Sequence, residues 1–411
     1  QSVAGGGGLA GFYILKHKTA YEIVDALFNT FVDTEAGLSF AGSVGGAGNA
    51  SAVVVTHTGS IQTEGDGAHG IFAQSVAGTG SAGTVDVTLT GTVAAPGTGA
   101  YGIYAQSGGG SGNQAVSVTV NTGGSVTGGG SSGAGVVVSG GTVNTVTNHG
   151  SIVSVSGVAG RAIVGDAGSD TVHNHGTVTG TGELGSGTNA FNNRVGGVFN
   201  AGSVVTLGSG NLLSNAGTFA PGADGSVLVT AMSGDYAQSA GGVLSADLDL
   251  LDNVSDRLDL SGAADLAGTM RVQLVNAGWL KEGSWQTTLL TGAGGVSDTG
   301  LLLDAPASAM VAFTLTPGAN EVTLGYDIDF TPSGLTASQA RMAGYVNAIQ
   351  QAGGSEAFAP FAAELVAMPD VAALGAAYDR LNPEPMLASA VTAVHNDLRF
   401  SDALHSCRVR E

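Results

Sequence analysis

The chain has 411 residues, with 12 Lys and Arg against 32 Asp and Glu, a formal net charge of −20 and only 11% charged residues. Cations this few and this scattered exclude direct nucleic-acid binding, which depends on neutralising phosphates with Lys and Arg. Seventy glycines raise the question of disorder, but 43% hydrophobic residues and a mean hydropathy of +0.26 argue against it and for a stack of tight turns and Ser/Thr-rich strands. No run of about 18 apolar residues would cross a membrane as a helix, and the single cysteine, Cys407, leaves no internal disulfide. A start at Gln1 without Met or signal peptide is what a fragment of a longer protein would have.

The first distinctive stretch is residues 10–40, which hold two of the three lysines and six of the twenty-three aromatic residues and break the surrounding Gly/Val/Thr idiom. Ile23, Val24, Leu27, Phe28 and Phe31 share a helical face. The phrase QSVAG occurs at Gln1 and again at Gln74, a gap of 73 that exceeds one 32-residue unit by 41. This spacing predicts an insertion near 10–40. It reads either as a protruding element that contacts a ligand or as a helix covering an exposed coil end.

Repeats come next. HGIFAQS at 69–75 returns as YGIYAQS at 101–107. A Gly, then Ser or Thr, then a β-branched or aromatic residue recurs at Gly59, Gly91, Gly124, Gly150, Gly176, Gly202 and Gly217, spaced 32, 33, 26, 26, 26 and 15. Between these marks lie alternating runs such as Val85-Asp86-Val87-Thr88-Leu89 and Val116-Ser117-Val118-Thr119-Val120, the pattern of strands with one buried face. Units this short, uneven and poor in aromatics disfavour a propeller and favour a mainly β fold, a right-handed parallel β-helix, over residues 1–218. Asn148, Asn174 and Asn200, 26 apart, are expected to stack as a ladder of amides.

From 219 to 330 the alternation persists but the 26-residue mark is lost, and from 331 to 411 the pattern turns helical. Thr336 with Gln339 reads as a capping box for a helix over Ala337–Ala352, stopped by Gly353-Gly354. Asp370 caps a second helix towards Leu381, and Pro383 and Pro385 precede a third near Met386.

Several phrases in this half carry a resemblance. SDRLDLSGAADLAGTM at 255–270, the preceding GTFAPGADGSVLVT, and LTASQARMAGYVNAI with AAYDRLNPEPMLASAVTA resemble the autotransporters of Gram-negative bacteria, type V secretion. The first is similar to the pertactin-like autochaperone region, the second to the family's G-T-x-x-P-G approach to it, and the last two to the helical linker. The resemblance implies a secreted or surface-displayed passenger at the outer membrane, in which 219–330 caps the β-helix and folds first as a template. It implies that 331–411 leads to a translocator β-barrel, a partner missing from this chain, and that contact with the outer membrane is only through that barrel. It also allows Cys407 to be half of a cysteine pair. The implied role is non-enzymatic adhesion to a host-cell or surface ligand. A β-helical polysaccharide hydrolase or lyase, and a structural stalk for a domain upstream, are the alternatives.

Candidate chemistry is sparse, and no catalytic, metal or cofactor residue is assigned. VGDAGSDTVH at 164–173 is close to a calcium nonapeptide, but such sites need tandem copies and this one is single, so a plain Asp/Gly turn is the better reading. His149 and His175 fall on equivalent positions with His173 on the same side of its strand; three imidazoles suit zinc, yet no carboxylate or thiolate completes the set. GGSSG at 129–133 fits G-x-S-x-G but lacks the helix of a nucleophile elbow. Asp247, Asp249, Asp252 and Asp256 form an acidic group; Asp247 and Asp249 alternate with leucines as on the wet face of a strand and read as structural.

Overall fold

The computed structural model describes residues 29–33, 39–45, 48–129, 132–382 and 384–408. Over these the protein is mainly β, one largely parallel hydrogen-bonded sheet followed by four helices. Strands pair with the strand one repeat away, not with their sequence neighbour. Val53–His57 lies beside Val85–Leu89, and the column continues through Val116–Val120, Val143–Asn148, Ser169–Asn174, Ala190–Asn193, Leu212–Asn215 and Asp235–Gln238, every pairing parallel. Ser60–Gln62, Thr92–Ala95, Ser125–Gly128, Ser151–Ser154 and Thr177–Glu183 start a second column. Ser39–Gly45, Ile71–Ala77, Tyr101–Gly109, Ala134–Ser139 and Arg161–Val164 form a third. The chain thus lays turn upon turn, an arrangement that fits a β-solenoid. Alternation sorts the side chains: Val53, Val55, Val85, Val87, Val116 and Val118 are buried while the residues between them reach outward.

One corner of each turn demands glycine. A Cβ at Gly91 would lie 1.8 Å from the Gly59 carbonyl oxygen, at Gly150 2.1 Å from that of Gly124, and at Gly176 2.1 Å from that of Gly150. The backbone of one turn passes directly against the next, so no side chain fits. The recurring Gly mark is therefore a packing requirement, but its last steps are not those the spacing predicts. Thr177 pairs with Val198, and Val198 with Thr218, so the corner after Gly176 is Gly197, not Gly202. The turn is shorter because Thr177–Glu183 runs on to pair with Arg161–Val164, whereas the turn before it spends Gly157–Ala159 in a 3₁₀ helix.

The amide ladder shifts for the same reason. Asn148 Nδ2 donates to Asn174 Oδ1 at 2.8 Å, 26 residues on, but Asn174 Nδ2 then donates to Asn193 Oδ1 only 19 residues on, also at 2.8 Å. Asn193 donates to Asn215 Oδ1 and Asn215 to Gln238 Oε1. Asn200 is not in the ladder; it sits one column away, bonded to Thr179 Oγ1. Each ladder amide also donates to a backbone carbonyl, of Thr177, Val198, Thr218 and Val243 in turn, so these buried polar groups are satisfied. Four residues before each ladder Asn lies a second buried polar position: Asn144, Asp170, Asn189 and Asn211. Between the two, the core residue is Val146, then Val172, then the larger Phe191 and Leu213.

The far end changes character. Gly283–Gly292 and Val311–Pro317 both pair antiparallel with Glu321–Ile328, closing the parallel stack with three antiparallel strands. Helices α1 (Ala337–Gln351), α2 (Ala359–Val366) and α3 (Val371–Leu381) pack on it, and α4 (Glu384–Arg408) comes after them. The Thr336 capping box and the Asp370 cap form as expected; α2, which opens with Pro360 near its start and has no side-chain cap, was not foreseen. Tyr378 of α3 donates to the Phe330 carbonyl at 2.9 Å, and Gln350 of α1 both accepts from the Leu280 amide and donates to the Gly278 carbonyl.

At the other end, the helical reading of Phe31 is corrected, while most of the insertion expected near 10–40 lies outside the described residues. Phe31 lies in strand Asn29–Asp33, paired with Val53–His57, and Ser39–Gly45 pairs residue for residue with Ile71–Ala77 as a further copy of the repeated heptad. Asn-Thr-Phe-Val-Asp has the β-branched and aromatic residues that a strand completing the next sheet position favours. Residues 10–28 and 34–38 lie outside the described residues.

Candidate functional site

Two outward faces of the stack carry chemistry. The first grows from the repeated heptads. Because Ile71, Ala73 and Ser75 point inward, Phe72 and Gln74 point outward, and the 32-residue register sets them beside Tyr104 and Gln106. The Phe72 and Tyr104 rings stack at 5.0 Å and 15°, those of His69 and Tyr101 at 4.6 Å and 5°. The Tyr101 backbone N–H donates to His69 Nδ1 at 3.0 Å, which places the imidazole proton on Nε2, and partial burial lowers the pKa of His69. Gln74 Nε2 donates to Gln106 Oε1. Burial raises the pKa of the Tyr104 hydroxyl, which hydrogen-bonds Ser139; Ser139 Oγ in turn donates to Asp166 Oδ2 at 2.9 Å. The result is a half-exposed block of four rings bordered by two amides, a hydroxyl and a carboxylate.

The second face is the corner that carries the histidines. His149 and His175 stack at 4.6 Å and 15°, as their spacing predicts. Parallel rings send their lone pairs out side by side and do not converge on one ion, as tetrahedral zinc requires. His173 instead shares a contact of 3.3 Å between its Nδ1 and Arg194 Nη2. Desolvation first, then Arg194 and the neighbouring imidazoles, lower the pKa of His173 and His175. Among the described residues no group of three or more His, Cys, Asp or Glu is arranged to hold a metal ion.

The calcium-like stretch divides between two jobs. Asp166 Oδ2 accepts from Ser139 Oγ and from the Gly140 amide at 2.7 Å, tying one turn to the one before. Asp170 is buried in the second polar column, where Asn144 Nδ2 donates to its Oδ1 at 2.6 Å. Desolvation, opposed by that hydrogen bond, raises its pKa to about 6. Its other oxygen lies where a Cβ on Gly165 would be only 2.0 Å away, so it meets backbone rather than a cavity for an ion.

The acidic group is corrected most. Asp247 and Asp249 are not on a wet face: they are 2% and 8% exposed, because the segment 222–228 folds over Asp247 and the turn that follows the strand wraps Asp249. Asp247 accepts from the Gly225 amide, and Asp256 from the amides of Leu228 at 2.6 Å and Asp247 at 3.0 Å. Desolvation dominates at Asp256 and raises its pKa to about 8, with Asp247 and Asp224 adding to the rise. Asp249 holds the Leu251 and Asp252 amides and Asn276 Nδ2. Asp252 is exposed and apart. These carboxylates anchor a loop; none is paired with a base over open space.

In GGSSG the serine of the G-x-S-x-G frame, Ser131, lies outside the described residues, and the next element along the chain is strand Ala134–Ser139, not a helix. The aromatic face was legible in principle, since period two applied to HGIFAQS and YGIYAQS separates its outer residues from its inner ones. Arg194 was not, because its place beside the histidines depends on the shortened turn. The sequence matches no protein-family model, and comparison with curated proteins gives no match.

Proposed function

We propose that the chain is part of an autotransporter passenger, displayed at the surface of a Gram-negative bacterium or released from it, that acts without catalysis in adhesion or other cell-surface contact. On this reading residues 1–218 are a right-handed parallel β-helix, 219–330 its pertactin-like cap and 331–411 the linker to a translocator β-barrel. The parallel register, unbroken from Val53 to Gln238 and ended by antiparallel strands and helices, supports the layout. The observation that carries adhesion is the outward block of His69, Phe72, Tyr101 and Tyr104 with Gln74 and Gln106 beside it. Rings that stay half exposed on a rigid stack, next to unspent amide donors and acceptors, offer contact area at little entropic cost. Growth turn by turn also suits export without ATP, since each added turn is stabilised by its predecessor.

The reading is tested by expressing the complete gene in a Gram-negative host and treating intact cells with protease. Peptides from residues 60–220 are expected in the medium while a periplasmic marker stays intact; protection of both sinks surface display. Adhesion is tested on the same cells, where Tyr101→Ser with Tyr104→Ser is expected to lower attachment severalfold at unchanged display. Attachment equal to the parent would remove the aromatic face from the proposal.

A further inference from the structure

The chain holds few cations, and the described arginines of the sheet are mostly spent at home. Arg257 lies 2.8 Å from Asp259 and Arg271 3.1 Å from Asp304, while Arg161 donates to the backbone carbonyls of Ser132 and Gly133. Arg194 differs: its contact is the imidazole of His173, and among the described residues it has no carboxylate partner. Its place in the fold is also particular. The amides of His149, His175 and Arg194 donate to Val120, Asn148 and Asn174, so the three residues occupy successive rungs of one corner. Their side chains are exposed, with half-buried His173 alongside.

Rungs of a parallel stack stand about 4.8 Å apart. Four side chains able to carry positive charge therefore crowd one corner of a chain whose formal net charge is −20. The groups that bear on His173 are Arg194 and His175, and on His175 they are His149 and Arg194. Among the described residues no acid offsets them. Like charges this close disfavour protonation of His173 and His175. An anion lying across the rungs reverses that, because it interacts favourably with every protonated ring and with the guanidinium at once. The stacked imidazoles, unable to converge on a metal, present parallel N–H donors suited to separate oxygens of one anion.

We propose that the His149–His175–Arg194 corner, with His173 beside it, is a binding site for a compact oxyanion, a sulfate, phosphate or carboxylate group, that fills as the medium turns mildly acidic. The large negative charge of the chain as a whole repels long polyanions, so the ligand is a single such group, free or borne by an otherwise uncharged molecule such as a sugar. Binding and protonation are linked: the anion raises the imidazole pKa values, and acid strengthens binding. The site is independent of the secretion reading and operates wherever the chain resides.

The test is a ¹⁵N imidazole titration of the whole chain with inorganic sulfate, then with a monosulfated disaccharide and its unsulfated parent. Signals of His149, His173 and His175 are expected to shift with sulfate near pH 5.5, with affinity about tenfold higher than at pH 7.5. Those of His69, His395 and His405 are expected to stay put. Arg194→Gln is expected to weaken binding about tenfold and Arg194→Lys less. His149→Gln gives a second, independent loss should the arginine variant fold poorly. Equal binding of free sulfate and the sulfated sugar would identify the anion alone as ligand, and tighter binding of the sugar would identify a larger one. The proposal is overturned by equal shifts at all histidines, by unchanged binding in both variants, or by a parent disaccharide that binds as well as its sulfated form.

Discussion

The parallel stack and the helical end both bury mainly small and aliphatic side chains, yet they are held by different means. In the stack each contact is a copy of the one a turn away: glycine corner on glycine corner, Asn174 between Asn148 and Asn193, Tyr104 stacked 5.0 Å from Phe72. In the helical end each contact occurs once, such as Tyr378 on Phe330 or Gln350 on Gly278. A repeated contact lets one substitution disturb two neighbouring turns. A singular contact confines its damage to one joint.

That contrast can be broken experimentally. The largest effect is expected from Gly176→Ala, whose Cβ would sit 2.1 Å from the Gly150 carbonyl oxygen and force two turns apart. A loss of about 3 kcal/mol is expected in urea denaturation, and an unshifted midpoint would show that the corners are not tight. Asn174→Ala comes next. It removes a donor from the Val198 carbonyl and an acceptor from Asn148 in a buried ladder, at a cost of about 2 kcal/mol. Hydrogen exchange should loosen on both sides of residue 174, and loosening on one side alone would contradict a continuous ladder.

Tyr378→Phe is expected to cost about 1 kcal/mol by leaving the Phe330 carbonyl without its donor. Faster exchange should appear in α1 to α3 while the stack keeps its protection; a loss shared by both regions would mean they unfold as one unit.

The smallest effect, and the one stabilising change, belongs to Asp170→Asn. The folded-state pKa of Asp170, about 6, lies above the ordinary 3.8, so the folded form holds the proton more tightly. The stability this contributes is complete below about pH 4 and is lost as pH rises through 6. Asn, the residue at the other three positions of that column, avoids the loss and should gain on the order of 1 kcal/mol at pH 7.5, with the two proteins converging near pH 4. Parallel curves across that range would show that Asp170 ionises as freely in the fold as outside it.

Much of this was readable in advance where the pattern is local. Val85-Asp86-Val87-Thr88-Leu89 can bury only one set of alternate residues, so its strand and its inner face are set by spacing. Thr336 and Gln339 cap α1 because both partners lie within one turn of chain. Asn200 and Gly202 failed as markers because a 26-residue spacing holds only while turn length is constant, and one turn lost its 3₁₀ segment. Asp247 and Asp249 were misread because alternation describes a strand with one wet side, and nothing in that strand announces that 222–228 will cover Asp247 or that the next turn will fold onto Asp249.

The amino-acid sequence by itself thus determined the strands, the glycine corners, the stacking of His149 on His175 and the capped helices, all set by backbone sterics and by side-chain period. Only the tertiary structure decided which residue stands on which. Vertical neighbours are chosen by the summed length of the intervening turns and by loops folding back, and that is why Asn193 completed the ladder and Arg194 came to rest beside the histidines.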